Sequence, residues 1–153
     1  MTYTTVVDGA RNSQGFTLVE LIVVLLITGI LAVVALPRLI GQKEFESLGY
    51  FDSAQAAVRY AQKLAMAQRR SVFVDLPGGT AVRLCYDGAC ASTVADPLRS
   101  QPFRLNAPGG VSIAGPSLSF DGLGRPSVGG TFTVTGDTAR NFTVEAETGY
   151  VHP

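Results

Sequence analysis

From Phe16 to Leu36 the chain is apolar at almost every position, interrupted only by Thr17, Glu20, Thr28 and Gly29. A run of about 21 residues rising about 1.5 Å each spans roughly the 30 Å of a bilayer core. The pattern therefore predicts a membrane-crossing helix with no continuous polar face. Pro37 follows directly; inside a helix it removes one backbone hydrogen bond and crowds the preceding turn, so a kink is expected near Leu36. Arg38 to Gly49 reads as a shorter, more polar continuation with Gly49 as its stop. Asp52 or Ser53 can then cap a new helix. Within it Ala54, Ala57, Val58, Ala61, Leu64, Ala65 and Gln68 recur at three- and four-residue spacing, which places them on one face. That face is mostly Ala and is expected to lie close against a sheet.

The period shortens beyond Ser71. Six short runs rich in Thr, Val and Phe are separated by Gly and Pro: Ser71 to Leu76, Thr80 to Cys85, Val111 to Ala114, Ser117 to Phe120, Thr131 to Thr135 and Asn141 to Glu145. They read as strands, with Pro77-Gly78-Gly79, Gly129-Gly130 and Gly136-Asp137 as reversals. Strands grouped behind helices, not alternating with them, argue for an α+β fold: a long N-terminal helix, then a second helix packed on an antiparallel β-sheet. The boundaries that follow are a leader over residues 1–15, the N-terminal helix over 16–51 and a β-rich domain over 52–153. At 153 residues, 46% hydrophobic and 16% charged, the chain has room for one membrane segment and one modest core.

The two cysteines, Cys85 and Cys90, bracket Tyr86-Asp87-Gly88-Ala89. Asp-Gly at the tip of a two-residue hairpin sets Tyr86 opposite Ala89 and Cys85 opposite Cys90, a close pair at disulfide distance. An oxidising exterior compartment favours the bond. Two thiols and the single histidine, His152, do not make a closed zinc sphere, and that histidine beside Pro153 gives little support to imidazole-based catalysis. The reading is of a non-enzyme with no cofactor and no metal. Gly122-Leu123-Gly124-Arg125-Pro126-Ser127-Val128-Gly129 lacks the Gly-Lys-Ser/Thr of a phosphate loop and reads as a structural turn, with Asp121 and Arg125 paired across it. Twelve basic and twelve acidic side chains balance, which does not favour a nucleic-acid partner. Arg69-Arg70 is the densest basic spot, and it falls where a helix C-terminus attracts cations in any case.

Glu20 is the residue this pattern leaves unexplained. A carboxylate deep in hydrocarbon costs about 2.5 to 3.5 kcal/mol on insertion scales, so a membrane helix that keeps one usually provides a partner. Cutting the chain between Gly15 and Phe16 supplies that partner. The new α-amine lies four residues before Glu20, in a first turn whose dipole also favours negative charge. The competing reading is a secretory signal cut near Val33-Val34-Ala35, releasing a domain that begins at Leu36; such an apolar segment is usually about 7 to 15 residues and carries no acid.

Gly15-Phe16-Thr17-Leu18-Val19-Glu20-Leu21 resembles the processing site of type IV pilins and type II secretion pseudopilins. The resemblance implies cleavage after Gly15 by a prepilin peptidase, N-methylation of Phe16, pairing of Glu20 with a neighbouring subunit's amino terminus, and a helix-kinking Pro37. It also implies a single-pass inner-membrane protein with its domain in the periplasm. An inner-membrane assembly platform would then build it, with other pilin or pseudopilin subunits, into a pilus or pseudopilus. Ala56 to Ala65 leading to Arg69-Arg70, and the turn Phe120-Asp121-Gly122-Leu123-Gly124-Arg125-Pro126 with its Phe120, Gly124 and Arg125, are similar to the GspH/FimT group, most of all to MSHA-type minor pilins. The implied role is a minor pilin that aids filament initiation. A GspH-like pseudopilin of type II secretion and a FimT-like DNA-capturing pilin are the alternatives. DNA capture in some FimT-like pilins uses a basic Gly-Arg tail, whereas Thr148-Gly149-Tyr150-Val151-His152-Pro153 has no such arginines, which argues against nucleic acid.

Overall fold

The computed structural model describes residues 16–153, with side chains over 16–33 and 43–153. The leader over 1–15, and with it Gly15, lies outside the described residues, and the kink expected at Pro37 falls where side chains are not described. The chain divides into two compact units at Leu39–Ile40.

A single helix, α1 (Leu18–Gln68), crosses that boundary. The stop expected at Gly49 is absent. Ser53, expected as a cap, donates its hydroxyl back to the Gly49 carbonyl at 2.7 Å, the bond of a serine inside a helix. Ser47, Tyr50, Phe51 and Ala54 are all buried around Gly49, and this packing outweighs the roughly 1 kcal/mol a glycine costs in a helix interior. The helix that lies on the sheets is thus continuous with the N-terminal one. It ends at Arg69, which takes a left-handed φ of 51°. The Arg70 N–H reaches the Ala65 carbonyl at 3.2 Å and the Arg69 N–H the Met66 carbonyl at 3.4 Å, the bond pair that closes a helix at a left-handed residue.

Eight strands follow among the described residues: β1 (Val72–Asp75), β2 (Ala81–Cys85), β3 (Arg104–Asn106), β4 (Ser112–Ala114), β5 (Leu118–Phe120), β6 (Gly130–Thr135), β7 (Ala139–Val144) and β8 (Val151–His152). They form two four-stranded antiparallel sheets, ordered β3-β2-β1-β5 and β4-β6-β7-β8. The α+β class with helix packed on antiparallel sheet is as expected. The division into two sheets, and the strands β3 and β8, are not. β3 has three residues closed in by Pro102 and Pro108, and β8 has two after Gly149, too few for an alternating pattern to register.

One hydrophobic core joins the helix to both sheets. Ala54, Ala57, Val58, Ala61 and Ala65 are buried as their spacing predicted, while Leu64 is half-buried and Gln68 exposed. Small side chains there admit large rings opposite: Phe120, Phe132 and Phe142 are fully buried. Phe132 and Phe142 are paired across the β6–β7 hairpin and stack with centroids 5.0 Å apart.

Candidate functional site

The start of α1 is set by Thr17, whose hydroxyl oxygen accepts the Glu20 N–H at 3.2 Å. Thr17 thus caps the helix, and Glu20 stands in its first turn, as expected. Thr17 was not singled out from the sequence, although the spacing was there to find it. Thr28 satisfies its hydroxyl on the Val24 carbonyl at 2.7 Å and so adds no open polar group. The large apolar side chains from Phe16 to Val33 are between 48% and 79% exposed, on every side of the helix. A helix apolar all round is stable only in lipid or surrounded by other helices. Among the described residues no helix is long and apolar enough to cross a membrane; the described side chains of this run stop at Val33, short of the about 20 residues a crossing takes.

The turn after β5 docks on the other end of the helix. Asp121 Oδ1 accepts the Leu123 and Arg125 N–H groups, each at 2.9 Å, and the Asp121 N–H donates to the Arg125 carbonyl at 2.9 Å. The expected side-chain pairing of Asp121 with Arg125 is not made: the carboxylate is committed to backbone donors, and Arg125 lies 3.7 Å from Glu147 instead, both largely exposed. Gly124 has φ +82°, and a Cβ there would meet Met66 Sδ at 2.7 Å. A Cβ at Gly122 would come within 2.9 Å of the Arg69 backbone. Gln62 Nε2 donates to the Gly124 and Thr148 carbonyls, both at 2.9 Å, and Arg59 grips the Val151 carbonyl at 2.8 Å. The Phe120–Pro126 segment is thus a structural clasp between the helix end and the C-terminal strand.

Cys85 and Cys90 form a disulfide with Cα atoms 5.1 Å apart. The hairpin around it is wider than the two-residue turn expected from Asp87-Gly88. Cys85 faces Thr93, not Cys90, and the Tyr86 N–H bonds Ser92. The reason is Asp87, whose carboxylate gathers the N–H groups of Ala89 and Ala91 at 3.0 Å and of Ser92 at 2.6 Å. These bonds, from Ala91 and Ser92 foremost, hold its pKa below the ordinary carboxylate value. Arg70 stacks 3.6 Å over the Tyr86 ring, so half of the basic Arg69-Arg70 spot braces this loop. A depression of about 260 Å³ beside it is lined by Phe73, Asp75, Asp87, Ser117, Ser119 and Ser127, but Asp75 is paired with Arg83 and Asp87 with its own loop. Among the described residues no cluster of His, Cys, Asp and Glu could hold a metal ion.

On β8, His152 Nε2 lies 2.9 Å from Glu145 Oε1, and the Tyr150 ring stacks on the imidazole at 5.5 Å. The bond to Glu145 raises the His152 pKa above 6.5, with the Pro153 carbonyl adding to it.

A prokaryotic N-terminal methylation motif matches residues 10–36. The type IV narrow pilus major component PilA5 of Thermus thermophilus is 37% identical over 75 residues, which cover 45% of this chain and 65% of that protein; the chain thus spans just under two thirds of it. Two crystal structures of the Pseudomonas aeruginosa type IV minor pilin FimU share the fold at 16% identity, with TM-scores of 0.52 and 0.51, covering 73% and 69% of this chain and 87% and 90% of theirs. The family described as type II transport protein GspH matches residues 52–148, the stretch that holds the buried Ala face, every described strand except β8, and the Gln62 clasp, and the chain belongs to that pilin-like family.

Proposed function

We propose that this chain is a minor pilin of an MSHA-like type IV pilus, cut after Gly15 by a prepilin peptidase, N-methylated at Phe16 and assembled through its N-terminal helix to aid filament initiation. The observation that carries this reading is the helix from Leu18 to Val33, with its apolar side chains exposed on all sides and a single acid, Glu20, in its first turn. Such a surface calls first for lipid and then for the helices of neighbouring pilin subunits; the matched methylation motif supports the same sequence of events. In this reading Phe16 to Leu36 anchors the chain once in the inner membrane with its domain in the periplasm, and an assembly platform there lifts it into the filament. Glu20 pairs with the amine of an adjacent Phe16, which offsets the cost of its charge in an apolar setting.

Glu20→Ala in the full chain tests the reading. Membrane insertion and leader cleavage are expected to persist while incorporation into filaments falls; normal incorporation would remove the partner role of Glu20. Gly15→Lys is expected to leave the leader attached, and normal processing of that variant would overturn the assigned cut. The GspH match supports a second reading, a minor pseudopilin of type II protein secretion. Deleting the chain separates the two, since loss of secreted proteins with pili intact favours the pseudopilus.

A further inference from the structure

The connection from β2 to β3, Tyr86 to Phe103, is the longest between strands among the described residues. Stretches beyond about 12 to 15 residues without secondary structure are uncommon in compact domains, and the ordered ones usually carry function. The Cys85–Cys90 bond and the Asp87 carboxylate account for the first part of this one, as far as Ser92. The rest folds back on itself. The Phe103 N–H donates to the Val94 carbonyl and the Asp96 N–H to the Gln101 carbonyl, both at 2.7 Å, and Asp96 Oδ1 accepts the Leu98 N–H at 2.8 Å. This ordered turn carries Arg99 and stands beside the edge strand β3. Together they enclose a depression of about 320 Å³ lined by Asp96, Arg99, Gln101, Pro102, Arg104 and Asn106, a volume at the lower end of the about 300 to 1,000 Å³ of small-molecule sites.

Arg99 and Arg104 are both exposed, and among the described residues neither forms a salt bridge. The sheet does not explain Arg104. It stands opposite Arg83 on β2, a like-charge cross-strand pair of the kind that destabilises, and the acid of that row, Asp75, is taken by Arg83. Arg104 Nε donates to Asn106 Oδ1 at 2.7 Å, which orients the planar guanidinium and leaves its Nη donors for a ligand. A fork held in one orientation suits bidentate capture of a carboxylate. Asp96 brings one negative charge to the same depression. With the Gln101 and Asn106 amides it offers acceptors and donors of the sort that hydroxyl groups require.

We propose that this depression binds an acidic sugar of the hexuronate class, with Arg99 and Arg104 on its carboxylate and Asp96, Gln101 and Asn106 on its hydroxyl groups. Two cations and one anion line the site, which matches a ligand with a single negative charge. A phosphate dianion would bring a second charge against Asp96. A neutral sugar would leave both guanidinium groups unmatched. The site lies on the folded domain and does not depend on the assembly proposed for the N-terminal helix.

Calorimetric titration of galacturonate into the full chain, held in uncharged detergent micelles, tests the proposal. A dissociation constant of about 1 mM is expected for a ligand of this size, and galactose, which lacks the carboxylate, should give no binding heat. Arg99→Ala and Arg104→Ala should each weaken binding roughly tenfold, the effect of losing a charge-assisted hydrogen bond. Both side chains are exposed, so the fold stands without them. Arg104→Lys keeps the charge but loses the fork and should weaken binding nearly as much. Asp96→Asn should weaken galacturonate and strengthen inorganic phosphate, which should compete poorly in the wild type. Lys63→Ala, which removes an exposed charge on α1, should change nothing. No binding of galacturonate, galactose binding equally well, phosphate displacing galacturonate at equal concentration, Arg104→Lys behaving as wild type, or an equal loss in Lys63→Ala would each overturn the inference.

Discussion

Replacing Gln62 by Ala removes both hydrogens that its Nε2 donates, one to the Gly124 carbonyl and one to the Thr148 carbonyl, each at 2.9 Å. A neutral intramolecular hydrogen bond nets about 0.5 to 1.5 kcal/mol. The bond to Gly124 is partly buried and belongs in the upper part of that range, while the bond to Thr148 is exposed and belongs in the lower. The sum is about 1 to 2 kcal/mol. With a urea dependence of about 1 to 3 kcal/mol per molar, the unfolding midpoint should fall by roughly 0.5 to 1 M at unchanged slope. The measurement is urea unfolding of the unit from Ile40 to Pro153, which holds the core. Gln62→Glu sharpens it. At neutral pH a carboxylate would face two carbonyl oxygens and donate nothing, so it should cost more than Ala. Those carbonyls raise the folded pKa of the new acid; the variant therefore regains stability as pH falls and loses it as pH rises through that value. A Gln62→Ala change within about 0.5 kcal/mol, the range of an ordinary surface substitution and of a Lys63→Ala control, would refute the clasp, as would a glutamate tolerated at neutral pH.

Asp87 has a lowered pKa because its carboxylate accepts loop N–H bonds, those of Ala91 and Ser92 foremost, so the stability it adds is present above its unfolded value and is lost as pH falls through the lower folded one. Asp87→Asn should flatten the acid limb of the stability profile below about pH 4, and an unchanged limb in thermal melts would contradict the role given to the loop. His152 shifts the other way: bonded to Glu145, it stabilises β8 fully below its unfolded pKa and loses that contribution as pH rises through the raised folded value. The imidazole resonances should titrate above 6.5 in the wild type and return toward that value in Glu145→Gln. Arg69 closes α1 in a left-handed conformation that costs a side-chain-bearing residue roughly 1 kcal/mol. Arg69→Gly should therefore raise stability by up to about that much in chemical unfolding, and a loss would mean the arginine side chain has a partner.

The features legible in the sequence are those that local physics decides. An unbroken apolar run, an Ala stripe at helical spacing, a Phe-rich β region and two cysteines five residues apart each mark their structure without help from distant residues. The misplaced features are set by packing across the chain. Gly49 reads as a stop until Ser47, Tyr50 and Phe51 bury around it; Asp87-Gly88 reads as a tight hairpin until the carboxylate takes the Ala91 and Ser92 amides and widens it. Of the candidate assembly site, Glu20 stood out as an anomaly, while the Thr17 cap beneath it passed unnoticed because it is ordinary helix chemistry. The two patches of the folded domain that resemble the GspH/FimT group, Ala56 to Arg70 and Phe120 to Pro126, looked independent in the sequence. They are the two sides of one contact. Gly122 must be small because the Arg69 backbone lies against it, Gly124 because Met66 does, and Gln62 ties the second glycine back to the helix. A substitution on either side is thus felt by the other, and the double variant Gln62→Ala with Gly124→Ala should cost less than the sum of its parts, since the first change frees the turn that the second would crowd.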